Sequence, residues 1–228
     1  MEVVRVDLNT LIRDIASGYS GTAHQKGIEL VVDSPEPVPD AMTDPDRIEQ
    51  VLIILIDNAM RYTPEGGTIT IGMRNAKESI VLTVTDTGCG ISEADLPHIF
   101  ERFYKVDKSR GEGGTGLGLS IAQFIMEKLG ESIRVKSELG KGTSFILTVK
   151  RYVRNAIALG PAGEGNVRYG DEEEAAPIAS SNKTNMQEEN AILDAHYEVI
   201  ESSEHENTKK DSGKKEQAAR RESQAKRE

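Results

Sequence analysis

An asparagine, an arginine and a tyrosine recur within one turn of a largely aliphatic stretch. Asn58, Arg61 and Tyr62 are three and four residues apart, so in a helix they share one flank. An amide among aliphatic side chains costs free energy unless it has hydrogen-bond partners. One interpretation is a local hydrogen bond that closes the helix end. The other is an amide oxygen that ligates a hard cation, with Arg61 nearby for phosphate.

A second group of polar residues follows a predicted strand. The stretch Asp-Thr-Gly-Cys-Gly at 86–90 places a carboxylate beside two glycines. A carboxylate can accept a hydrogen bond from an exocyclic amine, and glycines let a flat ring lie against the backbone. The same residues are also typical of a turn capped by its aspartate. The pattern therefore indicates either a turn or a site for an aromatic base.

A third stretch, Gly-Glu-Gly-Gly-Thr-Gly-Leu-Gly-Leu-Ser at 111–120, opens a predicted helix. Free backbone N–H groups at the positive end of a helix dipole bind phosphate. Gly111, Gly113 and Gly116 also match G-x-G-x-x-G, but the charged segment 105–110 before them is not a buried strand, so the dinucleotide context is missing. The remaining interpretations are a phosphate-binding loop and a flexible loop without a ligand.

The elements that must position these residues follow from capping and periodicity. Asp7 is a predicted cap for a helix with apolar positions 8, 11, 12 and 15, and Asp44-Pro45 starts a helix that runs to about Tyr62. Another helix is predicted over about 116–129. Predicted strands cover 28–33, 68–74, 79–85, 132–137 and 143–150. This order predicts a mixed sheet with helices on one face, an α+β arrangement.

Composition narrows the class of protein. The net charge of -10 argues against a nucleic-acid-binding surface, and a single cysteine excludes a disulfide framework or a thiolate metal site. The longest aliphatic run, 51–56, is far shorter than the roughly 20 residues that span a bilayer, and no secretory signal opens the chain. We therefore expect a soluble, cytoplasmic protein without a membrane segment.

The last third of the sequence differs from the rest. Residues 155–228 contain few aliphatic side chains and many charged ones, a composition that predicts disorder. Ile192, Leu193, His196, Tyr197 and Ile200 recur at helical spacing, so a transient helix that docks on a partner is one alternative to solvated chain.

The order and spacing of the motifs resemble the catalytic ATP-binding domain of sensor histidine kinases. The matching stretches are 46–51 with 58–67 (N box), Asp-Thr-Gly-Cys-Gly-Ile at 86–91 (G1 box), Ile-Phe-Glu-Arg-Phe-Tyr-Lys at 99–105 (F box), Gly-Thr-Gly-Leu-Gly-Leu-Ser at 114–120 (G2 box) and Gly-Lys-Gly-Thr-Ser-Phe at 140–145. The resemblance covers about residues 5–150. It implies a Bergerat-type fold of the GHKL superfamily: a two-layer α/β sandwich with a mixed sheet of about five strands, three helices on one face, and ATP under a lid. We expect this domain over 1–154, with 1–6 the end of an upstream linker and 155–228 a disordered tail.

The resemblance also implies ATP and Mg²⁺ as cofactors and assigns roles to single residues. Asn58 would ligate Mg²⁺, Arg61 and Lys105 would reach the phosphates, and these three are the predicted catalytic residues. Asp86 would hydrogen-bond the adenine amino group. The other predicted nucleotide-binding residues are Tyr62, Gly88, Gly90, Ile91, Phe103, Gly114, Thr115, Gly116, Leu117, Gly118, Leu119 and Thr143. Phe100 and Phe103 are expected to anchor the lid.

The sequence departs from the family pattern at the residue four positions before Asn58. Related enzymes that hydrolyse ATP place a glutamate there to activate water, whereas this chain has Ile54. Asp57 should point about 100° away from Asn58 around the helix and is a poor substitute. We therefore expect weak intrinsic ATPase activity.

The second departure concerns the phosphate acceptor. In the family, the acceptor histidine lies on an upstream helical hairpin, in a His-Glu/Asp-x-x-Thr/Asn-Pro stretch. None of the four histidines, His24, His98, His196 and His205, has that context. The expected partners are therefore a hairpin on a separate domain or chain and, downstream, a response regulator. The resemblance thus implies a protein histidine kinase that transfers the ATP γ-phosphoryl group, with Mg²⁺, to a histidine on that separate domain or chain and does not efficiently phosphorylate itself. The alternatives are an ATP-gated protein-binding module without phosphotransfer and a Ser/Thr kinase of the same fold acting on a small regulatory protein.

Overall fold

The computed structural model describes residues 1–77, 79–106 and 115–153. Within these residues the chain forms seven strands, three α-helices and a short 3₁₀ helix, Leu96–His98. The helices are α1 (Leu8–Gln25), α2 (Pro45–Tyr62) and α3 (Gly118–Leu129). The strands are β1 (Val4–Val6), β2 (Glu29–Asp33), β3 (Ala41–Thr43), β4 (Thr68–Asn75), β5 (Ser79–Asp86), β6 (Ser132–Glu138) and β7 (Gly142–Lys150).

The first two helices begin where the sequence predicts. The Asp7 carboxylate accepts hydrogen bonds from the backbone N–H groups of Asn9 and Thr10. Asp44 does the same for Arg47, with Pro45 in the first turn of α2. Because the caps satisfy N–H groups that have no partner within the helix, both starting points are well determined by local sequence.

Five strands form one mixed sheet in the order β2-β4-β5-β7-β6. Strand β2 runs parallel to β4, and the other neighbours are antiparallel. The predicted mixed sheet of about five strands is confirmed. Pairing of β5 with β7 places Asp86 opposite Thr143, at the end of the sheet where the polar loops gather.

The helices pack on the sheet through one continuous hydrophobic core. α1 contacts β2, α2 contacts β4 and β5, and α3 contacts β6 and α2. Alternate residues of the central strands are buried in this core, because successive side chains of a strand point to opposite faces. They include Ile69, Ile71, Met73, Ile80, Leu82, Val84, Phe145, Leu147 and Val149.

A small second sheet was not predicted from the sequence. Strand β1 pairs antiparallel with β3, so residues 4–6, expected as linker, are part of the folded unit. Arg5 forms an ion pair with Asp40, whose carbonyl accepts a hydrogen bond from the N–H of Tyr152 at 2.7 Å. The predicted tail, 155–228, and its amphipathic segment lie outside the described residues. None of the helices described here is long and apolar enough to cross a membrane.

Candidate functional site

The C-terminal end of α2 carries Asn58, Arg61 and Tyr62. The end of this helix is closed by Thr63, whose hydroxyl donates to the carbonyl of Ala59 at 2.7 Å. The Asn58 side chain is half-buried and forms no hydrogen bond within the described part of the chain. Local closure of the helix is therefore not the role of Asn58, and its amide is available to a ligand. Arg61 and Tyr62 are both exposed.

The Asp86 carboxylate lies at the end of β5 and is only 6% exposed. Its Oδ1 accepts a hydrogen bond from the N–H of Gly88 at 2.9 Å, so one oxygen does cap the turn as the alternative interpretation predicts. Burial raises the pKa of this carboxyl above its ordinary value, although the backbone N–H groups of Gly88 and Thr143 act to lower it. A buried acceptor with a perturbed pKa is typical of a binding site.

Backbone contacts join the end of α2 to the loop after β5. The carbonyl of Tyr62 accepts a hydrogen bond from the N–H of Cys89 at 3.3 Å. A Cβ placed on Gly88 would lie 2.5 Å from the same carbonyl oxygen, so only glycine fits there. The fold thus brings two groups of residues, 24 positions apart between Tyr62 and Asp86, to one place.

The same loop also packs on the turn between β6 and β7. Gly90 has a φ of +67°, and a Cβ there would lie 2.0 Å from the carbonyl oxygen of Glu138. The N–H of Ile91 donates to the hydroxyl of Ser137 at 2.8 Å. Ser137 was not among the residues predicted from the sequence, because nothing in a strand serine marks its partner 46 residues away.

Residues 102–118, here called the lid segment, are described at their two ends only. Gly114 lies outside the described residues. Phe103 and Gly116 meet across the segment: the N–H of Phe103 donates to the Gly116 carbonyl at 2.8 Å, and Gly116 has a φ of +71°. Lys105 and Thr115 are exposed, whereas Leu117 and Leu119 are half-buried.

Helix α3 starts at Gly118, two residues later than predicted, and directly against α2. No side chain among the described residues caps its first turn, so its N–H groups can bind an anion. A Cβ on Gly118 would lie 3.3 Å from Cγ2 of Ile54, which places the start of α3 beside the helix that carries Asn58. The carboxylate of the neighbouring Asp57 points toward α1, where it accepts a hydrogen bond from the Tyr19 hydroxyl at 2.7 Å.

The anchoring of the lid segment differs from the prediction. Phe100 is half-buried and meets Phe145 edge-on, with 6.4 Å between ring centroids, as an anchor should. Phe103, predicted as the second anchor, is 71% exposed and has a φ of +65°. Tyr104 holds this end instead, because its hydroxyl donates to Oδ1 of Asp95 at 2.6 Å. Hydrogen bonds from Ser92 and then Tyr104 lower the pKa of Asp95.

The candidate site therefore combines three parts of different chemistry. Its floor is the buried carboxylate of Asp86, with Thr143 beside it in the next strand. The other two parts are the end of α2, which carries the Asn58 amide, and the start of α3, which no described side chain caps. Such a site can accept hydrogen bonds from a base, ligate a hard cation and bind phosphate.

Comparison with known proteins agrees with this chemistry. Residues 43–173 match the model of the family described as histidine kinase-, DNA gyrase B-, and HSP90-like ATPase. Sensor protein SrrB of Staphylococcus aureus (strain NCTC 8325) is 51% identical over 110 residues, which are 47% of this chain and 19% of SrrB. The aligned part thus spans less than a fifth of that relative.

Solved structures of histidine kinases share the fold. The catalytic domain of histidine kinase ThkA superposes with a TM-score of 0.59 at 30% identity, covering 66% of this chain and 97% of that one. Full-length ShkA in complex with AMPPNP superposes with a TM-score of 0.61 at 30% identity, covering 70% of this chain and 34% of that one. Histidine kinase ThkA in complex with the response regulator protein TrrA superposes with a TM-score of 0.57 at 26% identity, covering 66% of this chain and 42% of that one. The chain therefore belongs to the histidine kinase-, DNA gyrase B- and HSP90-like ATPase family, with the fold of a histidine kinase catalytic domain.

Proposed function

We propose that residues 1–154 bind ATP with Mg²⁺ and transfer its γ-phosphoryl group to a histidine on a separate domain or chain. In this reaction a bond forms between the histidine nitrogen and the γ-phosphorus, the bond from the γ-phosphorus to the bridging oxygen breaks, and ADP leaves. The observation that carries the proposal is the contact between the α2 end and the Asp86 loop. It brings the loop of Asp86, the proposed base acceptor, against the end of the helix that carries Asn58, the proposed cation ligand, and so supports the proposal.

The described residues fit a nucleotide with its cation. Within the described ranges the Asn58 amide has no hydrogen bond, and no cluster of three or more acidic, histidine or cysteine side chains there could hold a metal alone. This fits Mg²⁺, which is commonly held by one or two protein oxygens together with phosphates and water. When bound, ATP would supply the phosphoryl group and Mg²⁺ would neutralise phosphate charge.

The roles of the remaining residues follow from phosphoryl transfer, which depends on positioning and charge neutralisation. Arg61, at the end of α2, and Lys105, in the lid segment, are both exposed cations and would bind phosphate oxygens. Asp86 would hold the adenine amino group, with Gly88, Gly90 and Ile91 shaping the base pocket. Tyr62, Thr143, Phe103 and residues 114–119 would contact the nucleotide, as the resemblance implies.

The proposed partners are a histidine-bearing helical hairpin and a response regulator. Since none of the four histidines has the acceptor context, we propose that this chain does not phosphorylate itself efficiently. Use of ATP and a single cysteine both suit the cytoplasm. The domain is proposed to act there, as a free protein or as the cytoplasmic part of a membrane-anchored sensor.

Mixing the full chain with labelled ATP, Mg²⁺ and a histidine-bearing hairpin domain tests the proposal. Label on the hairpin that is acid-labile and base-stable supports histidine phosphorylation. Nucleotide binding without transferred label supports the ATP-gated binding module, and acid-stable label on a small regulatory protein supports the Ser/Thr kinase. At an ATP concentration near the wild-type affinity, Asp86→Asn should strongly reduce labelling, while the control Asp14→Asn, at an exposed position of α1, should not. Absence of ATP and ADP binding in calorimetry would overturn the proposal.

A further inference from the structure

The hydroxyl of Ser137 lies where three segments of the site meet. It accepts a hydrogen bond from the N–H of Ile91 at 2.8 Å and donates to the carbonyl of Gly142 at 2.7 Å. It is also 3.0 Å from the hydroxyl of Thr143. One side chain of β6 thus ties the loop after β5 to the first two residues of β7.

The direction of the third hydrogen bond follows from counting protons. A serine hydroxyl has one proton and two lone pairs. The Ile91 N–H uses one lone pair, and the Gly142 carbonyl, which can only accept, uses the proton. The remaining lone pair must therefore receive the proton of the Thr143 hydroxyl. Thr143 Oγ1 is left with lone pairs alone for any group on its other side.

Thr143 faces the same side of the sheet as Asp86. The two are direct partners across β5 and β7, and both are buried, at 7% and 6% exposed. An ionised carboxylate only accepts hydrogen bonds. Of the described residues, Asp86 and Thr143 therefore offer acceptors, and neither side chain offers a donor, at the floor of the site.

We propose that Ser137 is a specificity-determining residue that favours adenine over guanine. Because Ser137 Oγ accepts the proton of the Thr143 hydroxyl, Thr143 can only accept a hydrogen bond from the base. Adenine carries an amino group, a donor, where guanine carries a carbonyl oxygen, an acceptor. A floor that offers only acceptors can bind the adenine amino group but leaves the guanine carbonyl oxygen without a donor. An unpaired buried polar group is costly, so the site should discriminate strongly against guanine. This inference rests on the proposed binding of ATP by the same site.

The test compares the affinities of the full chain for Mg²⁺-ADP and Mg²⁺-GDP. Ser137→Ala frees the Thr143 hydroxyl to rotate and donate to guanine, so we expect the ADP-to-GDP affinity ratio to fall about tenfold. Ser137→Thr keeps the hydroxyl on a β-branched side chain that suits a strand, and should restore the ratio. The matched control is Ser132→Ala at the other end of β6, where the hydroxyl lies 2.6 Å from that of Thr148. It should leave the ratio unchanged.

A double-mutant cycle separates proton commitment from general loosening of the site. Thr143→Val should lower the ratio by itself, and adding Ser137→Ala should then have no further effect. The inference is overturned if Ser137→Ala leaves the ADP-to-GDP affinity ratio unchanged. It is also overturned if Ser137→Ala lowers that ratio equally in the wild-type protein and in Thr143→Val. If Ser137→Ala does not fold, an unchanged ratio in Thr143→Val overturns it instead. A wild-type chain that binds neither nucleotide refutes the proposed function, whereas binding of both without preference refutes the specificity alone.

Discussion

The backbone carbonyl of Tyr62 accepts a hydrogen bond from the backbone N–H of Cys89, at 3.3 Å. This contact joins the last residue of α2 to the loop that follows β5, and so links the two sides of the site that we propose bind the cation and the base. Its closeness depends on Gly88, since a Cβ there would have three heavy atoms within 2.9 Å.

Replacing Gly88 by alanine should separate these two segments. We expect Gly88→Ala to lower the free energy of unfolding by about 1–3 kcal/mol, as overpacking does, and to weaken ADP binding. Gly18→Ala is a suitable control, because Gly18 lies in α1 with nothing within 4 Å of an added Cβ. That change should stabilise the protein by up to about 1 kcal/mol through helix propensity. Thermal unfolding and calorimetry measure both effects, and equal behaviour of the two variants would contradict the contact.

Nucleotide binding should depend on pH through Asp86. Its pKa is raised in the folded state, mainly by burial, so its contribution to stability is present below the unfolded pKa and is lost as pH rises through the folded pKa. Asp86→Asn should therefore increase the stability of the nucleotide-free protein at neutral pH.

The raised pKa of Asp86 also affects nucleotide binding, because protonation removes the ionised acceptor. The ADP affinity of the wild-type protein should therefore begin to fall at a higher pH than it would if Asp86 had the pKa of an ordinary aspartate.

The Asp86→Asn variant also supplies the control for that pH dependence. We expect its ADP affinity to be about tenfold to a hundredfold weaker at neutral pH, the usual value of a hydrogen bond to a charged group. Between about pH 7 and pH 4 its affinity should show only the titration of the terminal phosphate of ADP, whose second pKa is about 6, without the further fall that Asp86 causes. If wild type and Asp86→Asn lose affinity equally on acidification, the titrating group is not Asp86.

The hydrogen bond between Tyr19 and Asp57 should stabilise the packing of α1 on α2. Tyr19→Phe removes the donor, and we expect a loss of about 1 kcal/mol in the free energy of unfolding. Burial, and then Asp57, raise the pKa of the Tyr19 hydroxyl. The contribution of this pair is therefore present below the unfolded pKa of tyrosine and lost at more alkaline pH, while Tyr19→Phe should lack that alkaline loss. Chemical denaturation at neutral and alkaline pH measures the difference.

The hydrogen bond between Tyr19 and Asp57 also bears on ATP hydrolysis. Ile54 cannot activate water, and the Asp57 carboxylate is hydrogen-bonded to Tyr19 on the α1 side. We expect the chain to hydrolyse ATP slowly, and Asp57→Asn to leave that slow rate unchanged. Phosphate release with excess Mg²⁺-ATP is the measurement. Rapid turnover that Asp57→Asn abolishes would identify Asp57 as the missing base.

The lid segment should be sensitive to Gly116 for two separable reasons. Gly116 has a φ of +71°, and an added Cβ would lie 2.8 Å from the carbonyl carbon of Phe103. Gly140 has a φ of +84° but nothing within 4 Å, so Gly140→Ala shares the backbone strain without the steric overlap. Gly116→Ala should weaken ADP binding markedly more than Gly140→Ala, which should mainly cost about 1 kcal/mol of stability. Calorimetry on both variants checks this, and equal losses of affinity would show that strain alone matters.

The local sequence was sufficient to predict most helices and strands of the described domain. Asp7 and Asp44 are caps, and Pro45 suits the first turn, so α1 and α2 begin where expected. Alternating apolar residues also predicted β4 and β5. The motif positions allowed the family to be recognised, and the end of the helix that carries Asn58 does contact the loop that follows Asp86. These features depend on neighbours a few residues away, which a sequence displays directly.

Only the tertiary structure decided which distant groups meet. The pairing of β1 with β3, the Tyr104 contact that replaces Phe103 as an anchor, and the three hydrogen bonds of Ser137 each involve partners outside the local pattern. A serine in a strand or a tyrosine in a loop has many possible partners, and the order of strands in the sheet selects among them. The sequence by itself therefore determined the elements and their chemistry, whereas packing determined the proton arrangement at the floor of the site.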